Sequence, residues 1–250
     1  MKREILINAN PRETRVAIIE DDQLVELLVD RPDARRMVGD IYLGRVEAVL
    51  PGIQAAFVDI GTEKSAFLHA SDLVYPEDEA DEDDGDEDDD GDTERGRRRR
   101  AKAPPIQDVL KRGQDLVVQV SKEPISTKGP RVTAQVSLAG RFLVYMPFAE
   151  RVGVSRKIGD REARKRLRGQ VEEVLPKDSG GVIVRTVGED VTKETLEREL
   201  TTLIGQWKRI KRKTHFVRAP SAIHRETSLT RGLMRDVFST KVEQVTVDSK

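Results

Sequence analysis

Between Ile41 and Leu73 the chain crowds three short strand patterns together, too closely spaced for helices of useful length. Ile41–Val49, Ile53–Ile60 and Ser65–His69 read as strands, with Pro51-Gly52 and Gly61-Thr62 as the turns between them. Side chains alternate faces along a strand. Gln54, Ala56, Val58 and Ile60 therefore share one face, and Ile53, Ala55, Phe57 and Asp59 the other. In the third strand Ala66 and Leu68 oppose Ser65, Phe67 and His69. Val58 with Ile60, and Ala66 with Leu68, read as core sides. Phe57 and Phe67 then lie among Asp59, Ser65 and His69. Aromatics beside polar groups on one side of a small sheet form a stacking platform for nucleic-acid bases. The competing reading makes both rings core, and Ile53 and Ala55 support it for Phe57.

The stretch resembles an S1 RNA-binding domain. Gly44-Arg45-Val46, Ala56-Phe57-Val58-Asp59-Ile60-Gly61 and Phe67-Leu68-His69-Ala70-Ser71-Asp72-Leu73 match that pattern in order and spacing. Such domains are small OB-type barrels whose strand faces bind oligonucleotides.

Charge narrows the partner. The formal net charge is −1, but residues 77–94 hold 14 acidic side chains and residues 95–102 hold six basic ones. Without those two blocks 38 basic and 31 acidic residues remain, a net of +7, and residues 140–250 alone carry +9. A basic body is the electrostatic footprint of a phosphate-backbone binder. The run Pro76–Lys102 has little apolar content to fold around and reads as a disordered, solvated loop, whose Arg97–Arg100 cluster adds nonspecific RNA affinity and whose acids compete for it. The chain has no cysteine, which excludes disulfides and thiolate zinc sites within it. No run approaches a membrane span, and MKREILINANP lacks an apolar signal region, so a cytoplasmic protein is expected.

Ahead of the barrel pattern, Glu4–Ala9, Thr14–Glu20 and Leu24–Val29 read as a three-stranded meander that needs a partner from elsewhere. Beyond the charged run, Leu116–Val120 and Arg131–Leu138 read as strands, with Lys128 at the tip of the loop joining them. Arg141–Met146 and Gly181–Val187 read as strands of a third unit. Asp160 is a candidate N-cap for a helix carrying Leu167, Val171 and Leu175, stopped by Pro176. From Thr192, Leu196, Leu200, Leu203, Ile204, Trp207 and Ile210 fall at helical spacing, with Trp207 as core. The cations of Lys208–Lys213 suit a helix C-terminus, with phosphate contact as the alternative. A helix near Ser228–Phe238 and a strand at Val242–Val247 follow. The strand ends just before Lys250, which reads as a cut chain.

Taken together the chain resembles the N-terminal part of the ribonuclease E/G family of bacterial endoribonucleases, collinear over nearly all of its length except the charged run. The marks are Met1-Lys2-Arg3 with Leu6-Ile7-Asn8-Ala9; Ile41-Tyr42 with Gly44; Ala55-Ala56-Phe57-Val58-Asp59 with Gly61; Ser137-Leu138-Ala139-Gly140 with Leu143-Val144; and Ile183-Val184-Arg185-Thr186. The resemblance implies an α+β fold: an RNase H-like subdomain (1–38 and 214–250) split by an inserted S1 barrel (39–139, interrupted at 76–104) and a small α/β 5′-sensor subdomain (140–213). That RNase H-like part is structural in the family, so Asp236 and Asp248 are not expected to form a metal pair. Phe57, Phe67 and the loop lysine Lys128 are implied to line a single-stranded RNA path, and Arg156 is grouped with them. Gly140, Val144, Arg185 and Thr186 are implied to hold an RNA 5′-monophosphate.

That last assignment has its own chemistry. Arginine presents a planar fork of N–H donors suited to two phosphate oxygens, a neighbouring Thr hydroxyl adds another donor, and Gly140 permits close backbone approach. The alternative for Arg185 is a salt bridge at a strand end. The catalytic carboxylates that hold Mg²⁺, and the cysteine pair that shares structural Zn²⁺ between protomers, lie downstream in the family, so this segment is expected to bind neither metal and to hold no catalytic residue. The whole protein is expected to cut single-stranded RNA, preferably 5′-monophosphorylated, in RNA processing and mRNA decay, as a homo-oligomer with possible partners in an RNA-degradation complex. The rivals are a standalone, non-catalytic S1-type RNA-binding protein and an RNase H-type nuclease using Asp59, Asp236 or Asp248.

Overall fold

Burial alternates along Ala55–Asp59 and Ala66–His69 but not along Ile41–Gly44, where four consecutive residues are buried. The computed structural model describes residues 2–31, 36–73, 104–226 and 242–248, with Gly232 and Arg235. The charged run, Asp236 and most of the helix expected at Ser228–Phe238 lie outside the described residues; Gly232 and Arg235 are helical. The described part mixes strands with a few helices. It forms two compact units, Met1–Met37 with Arg225–Lys250, and Val38–His224.

The larger unit opens with β4 (Ile41–Leu50), β5 (Ala55–Asp59) and β6 (Ala66–His69), then, beyond the short helix α1 (Ile106–Val109), β7 (Asp115–Lys122) and β8 (Arg131–Thr133). β4 pairs with both β5 and β7, β5 with β6, β6 with β8 in parallel, and β8 with β7. Those pairings return to β4, so the five strands form a closed barrel of OB type. Its interior holds Val46, Ala56, Val58, Ile60, Ala66, Leu68, Val118, Val120 and Val132. The second strand starts later than its sequence pattern suggests. Pro51–Ile53 form a 3₁₀ turn closed by Gln54 in a left-handed conformation, and Ile53 is exposed. Ala55 is fully buried, although it shares a strand face with Phe57. The strand expected at Arg131–Leu138 breaks after Thr133, where Ala134 donates its amide to the Asp72 carbonyl.

The chain then builds an α/β layer. Its sheet runs β11 (Val152–Val154), β12 (Gly181–Val184), β10 (Leu143–Met146), β9 (Leu138–Ala139). Helix α2 (Arg161–Val174) starts where the Asp160 side chain accepts the Glu162 amide, and Leu175 caps it just before Pro176. Helix α3 (Lys193–Lys213) buries Leu196, Leu200, Leu203, Trp207 and Ile210. Trp207 meets the Phe148 ring edge-to-face at 5.4 Å, as a core indole would. The apolar cluster runs on to Ile41, Leu43 and Ile223. Residues 214–224 stay with this unit, because β13 (Ser221–His224) pairs with β4. The boundary expected at 214 therefore falls at 225.

In the smaller unit, β1 (Arg3–Ala9), β2 (Thr14–Glu20) and β3 (Gln23–Asp30) form the expected antiparallel meander. β14 (Val242–Val247) adds in parallel beside β1, supplying the partner the meander requires. Ile5, Ile7, Val16 and Ile18 form its core.

Candidate nucleic-acid interface

On the barrel, Phe57 and Phe67 are register partners on β5 and β6. Their ring centroids lie 6.1 Å apart, edge to face, and Phe57 is 36% exposed. The core reading of these aromatics fails because the pleat sends Ala56, Val58, Ala66 and Leu68 inward, all fully buried. Around the rings the polar groups are held. His69 accepts the Ser71 amide through Nδ1, capping a short 3₁₀ turn. The Asp72 carboxylate accepts two N–H bonds from the Arg131 guanidinium, tying β6 to β8. Asp59 accepts the Gly61 amide at 2.8 Å and so serves the turn.

Lys128 is exposed on the loop that enters β8. That loop lies against β6: the Phe67 amide donates to the Pro130 carbonyl at 2.8 Å, and Lys64 Nζ donates to the Ser126 carbonyl. A Cβ on Gly129 would sit 2.1 Å from the Ser65 carbonyl oxygen, so glycine permits the approach. The Lys128 loop thus lies alongside β6, the strand that carries Phe67.

The second set converges in the α/β layer. Leu143 pairs with Val184 and Val144 with Ile183, which puts Arg185 beside the turn at Gly140–Phe142. Arg185 leaves the strand earlier than expected, its amide donating to the Phe142 carbonyl at 2.7 Å. Its Nη1 donates to the Gly140 carbonyl at 2.7 Å. Thr186 is exposed, and its hydroxyl shares a 3.1 Å hydrogen bond with that of Ser155. Arg156 follows Ser155 in the chain, outside the barrel strands.

Glu199 is the residue that sequence reasoning missed. From α3 its carboxylate accepts three consecutive amides, those of Arg141, Phe142 and Leu143, at 2.6, 2.9 and 2.9 Å. A Cβ on Gly140 would come within 2.8 Å of that carboxylate. Glu199 fixes the turn whose carbonyl in turn fixes Arg185. The available signal was its place beside Leu196, Leu200 and Leu203, an acid on the flank of a buried stripe.

Among the described residues no group of three or more His, Cys, Asp or Glu side chains converges as a metal site. Asp248 accepts the Asn8 amide side chain and the Ala9 backbone amide, closing β14 against β1. No described helix is long and apolar enough to cross a membrane.

A closed OB-type barrel with paired aromatics on its outer face defines an oligonucleotide-binding class of fold. Residues 137–250 match the sequence model of the Ribonuclease E/G family. The chain is 39% identical over 247 residues to Ribonuclease G of Haemophilus influenzae, covering 99% of this chain and 48% of that protein. It is 38% identical over 250 residues to Ribonuclease G of Escherichia coli, covering 100% of this chain and 48% of the relative. To Ribonuclease E of Synechocystis it is 37% identical over 235 residues, covering 93% of this chain and 31% of the relative. The chain spans about half the length of the ribonucleases G it matches.

Proposed function

We propose that this chain is the RNA-gripping and 5′-end-sensing region of a single-strand-specific endoribonuclease acting in RNA processing and mRNA decay. The observation that carries the reading is the Phe57–Phe67 pair, opposed on one face of an OB-type barrel beside the loop of Lys128. Similarity to ribonucleases G and E over nearly the whole chain supports it. Bases stack on the two rings, and Lys128 contacts the backbone; stacking tolerates any base, because every base has a π-face. Arg185 and Thr186, with Gly140 and Val144 beside them, take the 5′-monophosphate, and Arg156 joins Lys128 in contacting the RNA. A 5′-hydroxyl offers no charge to this pocket, and a triphosphate is larger. The smaller unit, in which β14 extends the meander, is read as an RNase H-like scaffold. The protein acts in the cytoplasm, on single-stranded RNA.

The test is fluorescence anisotropy with a short unstructured RNA. Phe57→Ala and Phe67→Ala each weaken binding by roughly 5-fold or more, as stacking at about 1–3 kcal/mol per base requires. Unchanged binding in both variants would remove the barrel face from the RNA path.

A further inference from the structure

The exposed side of α3 carries a second feature that the barrel and Arg185 sites do not use. Thr201, Thr202, Gly205, Lys208, Arg209, Lys211, Arg212 and His215 line an open groove of about 790 Å³. The helix alternates sharply here: Leu203, Trp207 and Ile210 are buried, whereas Lys208, Arg209, Lys211 and Arg212 are exposed. None of these four cations makes an ion pair among the described residues. Lys213 differs, since its Nζ donates to the Ile223 carbonyl and anchors the helix end to β13.

Cations near a helix C-terminus are commonly explained by the last carbonyls and the dipole. Those carbonyls already have partners here. The Lys211 carbonyl accepts the Thr214 hydroxyl, and the Arg212 and Lys213 carbonyls accept the amides of His215 and Phe216. The four exposed cations are therefore surplus to capping. The turns that satisfy the helix end also present Phe216, which is 86% exposed and adjoins the groove residue His215. An almost bare phenyl ring costs apolar exposure with no packing in return, and it stands next to a line of positive charge. Cations that track a backbone, with an aromatic on which a base can stack, are the two components of a single-strand site.

We propose that the C-terminal half of α3 and the turn at Phe216 form a second binding site for single-stranded RNA, separate from the barrel face. Lys208, Lys211 and Arg212 neutralise successive phosphates and Phe216 stacks one base. The inference rests on the reading of the chain as an RNA binder, and it makes the strand's grip two-sited.

The test uses the full 250-residue chain and an unstructured 5′-hydroxyl oligoadenylate of about 20 nucleotides, titrated by anisotropy at several salt concentrations. Lys208→Gln, Lys211→Gln and Arg212→Gln are combined in one variant, and Phe216→Ala is made separately. Three lost phosphate contacts lower the slope of log affinity against log salt by about two, so that wild type loses about 16-fold more affinity than the variant between 0.05 and 0.2 M salt. Phe216→Ala weakens binding several-fold with the slope unchanged. Photocrosslinking of wild type to 4-thiouridine RNA, mapped by mass spectrometry, places a crosslink within residues 208–216 and keeps the proposal testable if the triple variant misfolds. RNA binding that depends on Phe57 and Phe67, with the salt slope unchanged in the triple variant and no crosslink at 208–216, overturns this site alone. Binding of an acidic peptide in place of RNA by the same residues overturns it in favour of a protein partner. Absence of RNA binding in wild type would sink the functional reading itself.

Discussion

Replacing Glu199 by alanine tests the link between α3 and the Arg185 pocket. The carboxylate accepts three backbone amides of one turn. Hydrogen bonds to a charged group are worth about 1.5–3 kcal/mol each when buried, and this carboxylate is half-buried, so water recovers part of the loss. The expected cost of Glu199→Ala is about 2–4 kcal/mol, and of Glu199→Gln, which keeps one acceptor oxygen, about half that. The assay is urea unfolding followed by fluorescence of Trp207, the sole tryptophan, which lies on the same helix. Gly140→Ala supplies the internal control. Its new Cβ would press on the Glu199 carboxylate at 2.8 Å, so Gly140→Ala is costly in wild type and nearly neutral once residue 199 is alanine. The double-mutant cycle then gives a coupling of at least about 1 kcal/mol. A cost below about 0.5 kcal/mol for Glu199→Ala, or additive behaviour with Gly140→Ala, would refute the clamp.

Three further outcomes follow from the geometry. Gly129→Ala forces the Lys128 loop off the Ser65 carbonyl, so it lowers RNA affinity at least as much as Lys128→Ala while leaving the Trp207 transition little changed; titration of both variants checks this. The coupling between Phe57 and Phe67 in RNA-free unfolding is about 0.5–1.5 kcal/mol, the value for an edge-to-face pair, measured by the cycle of the two alanine variants. The Arg45 guanidinium, by hydrogen bond and charge, holds the Asp115 carboxyl below its ordinary value. A depressed carboxylate stabilises the fold above its unfolded pKa and loses that contribution as pH falls through the lowered folded value. Asp115→Asn thus costs a few tenths of a kcal/mol at neutral pH, as for exposed ion pairs, and nothing once the pH is below the folded pKa; urea titrations at both pH values decide it.

The sequence made some parts of this molecule plain and hid others for identifiable reasons. Thr14–Glu20 and Val242–Val247 are legible in the sequence because each is a short run rich in β-branched residues. Helix α2 was readable from Asp160 and Pro176. The start of β5 was not, because Ile53 carries a strand-like side chain while Pro51-Gly52 draws it into a 3₁₀ turn. β11 and β13 are only three and four residues long, so their pairing in space defines them and local pattern does not. Closure of the barrel through β4 and β7 joins residues about seventy positions apart, which no local period encodes. The Phe57–Phe67 pairing was legible as a shared face. The clamp of Glu199 was not, since a carboxylate aimed at three amides from a distant turn leaves no trace in spacing.

The central claim is that Arg185 and its turn read the end of the RNA whose body lies on the barrel. The most direct measurement is the affinity of this chain for one RNA sequence bearing a 5′-monophosphate or a 5′-hydroxyl, in wild type and Arg185→Ala. The account predicts tighter binding of the monophosphate by wild type, roughly 10-fold or more from a charge-assisted arginine–phosphate contact, and equal binding of the two ends by Arg185→Ala. Equal binding of the two ends by wild type would contradict it.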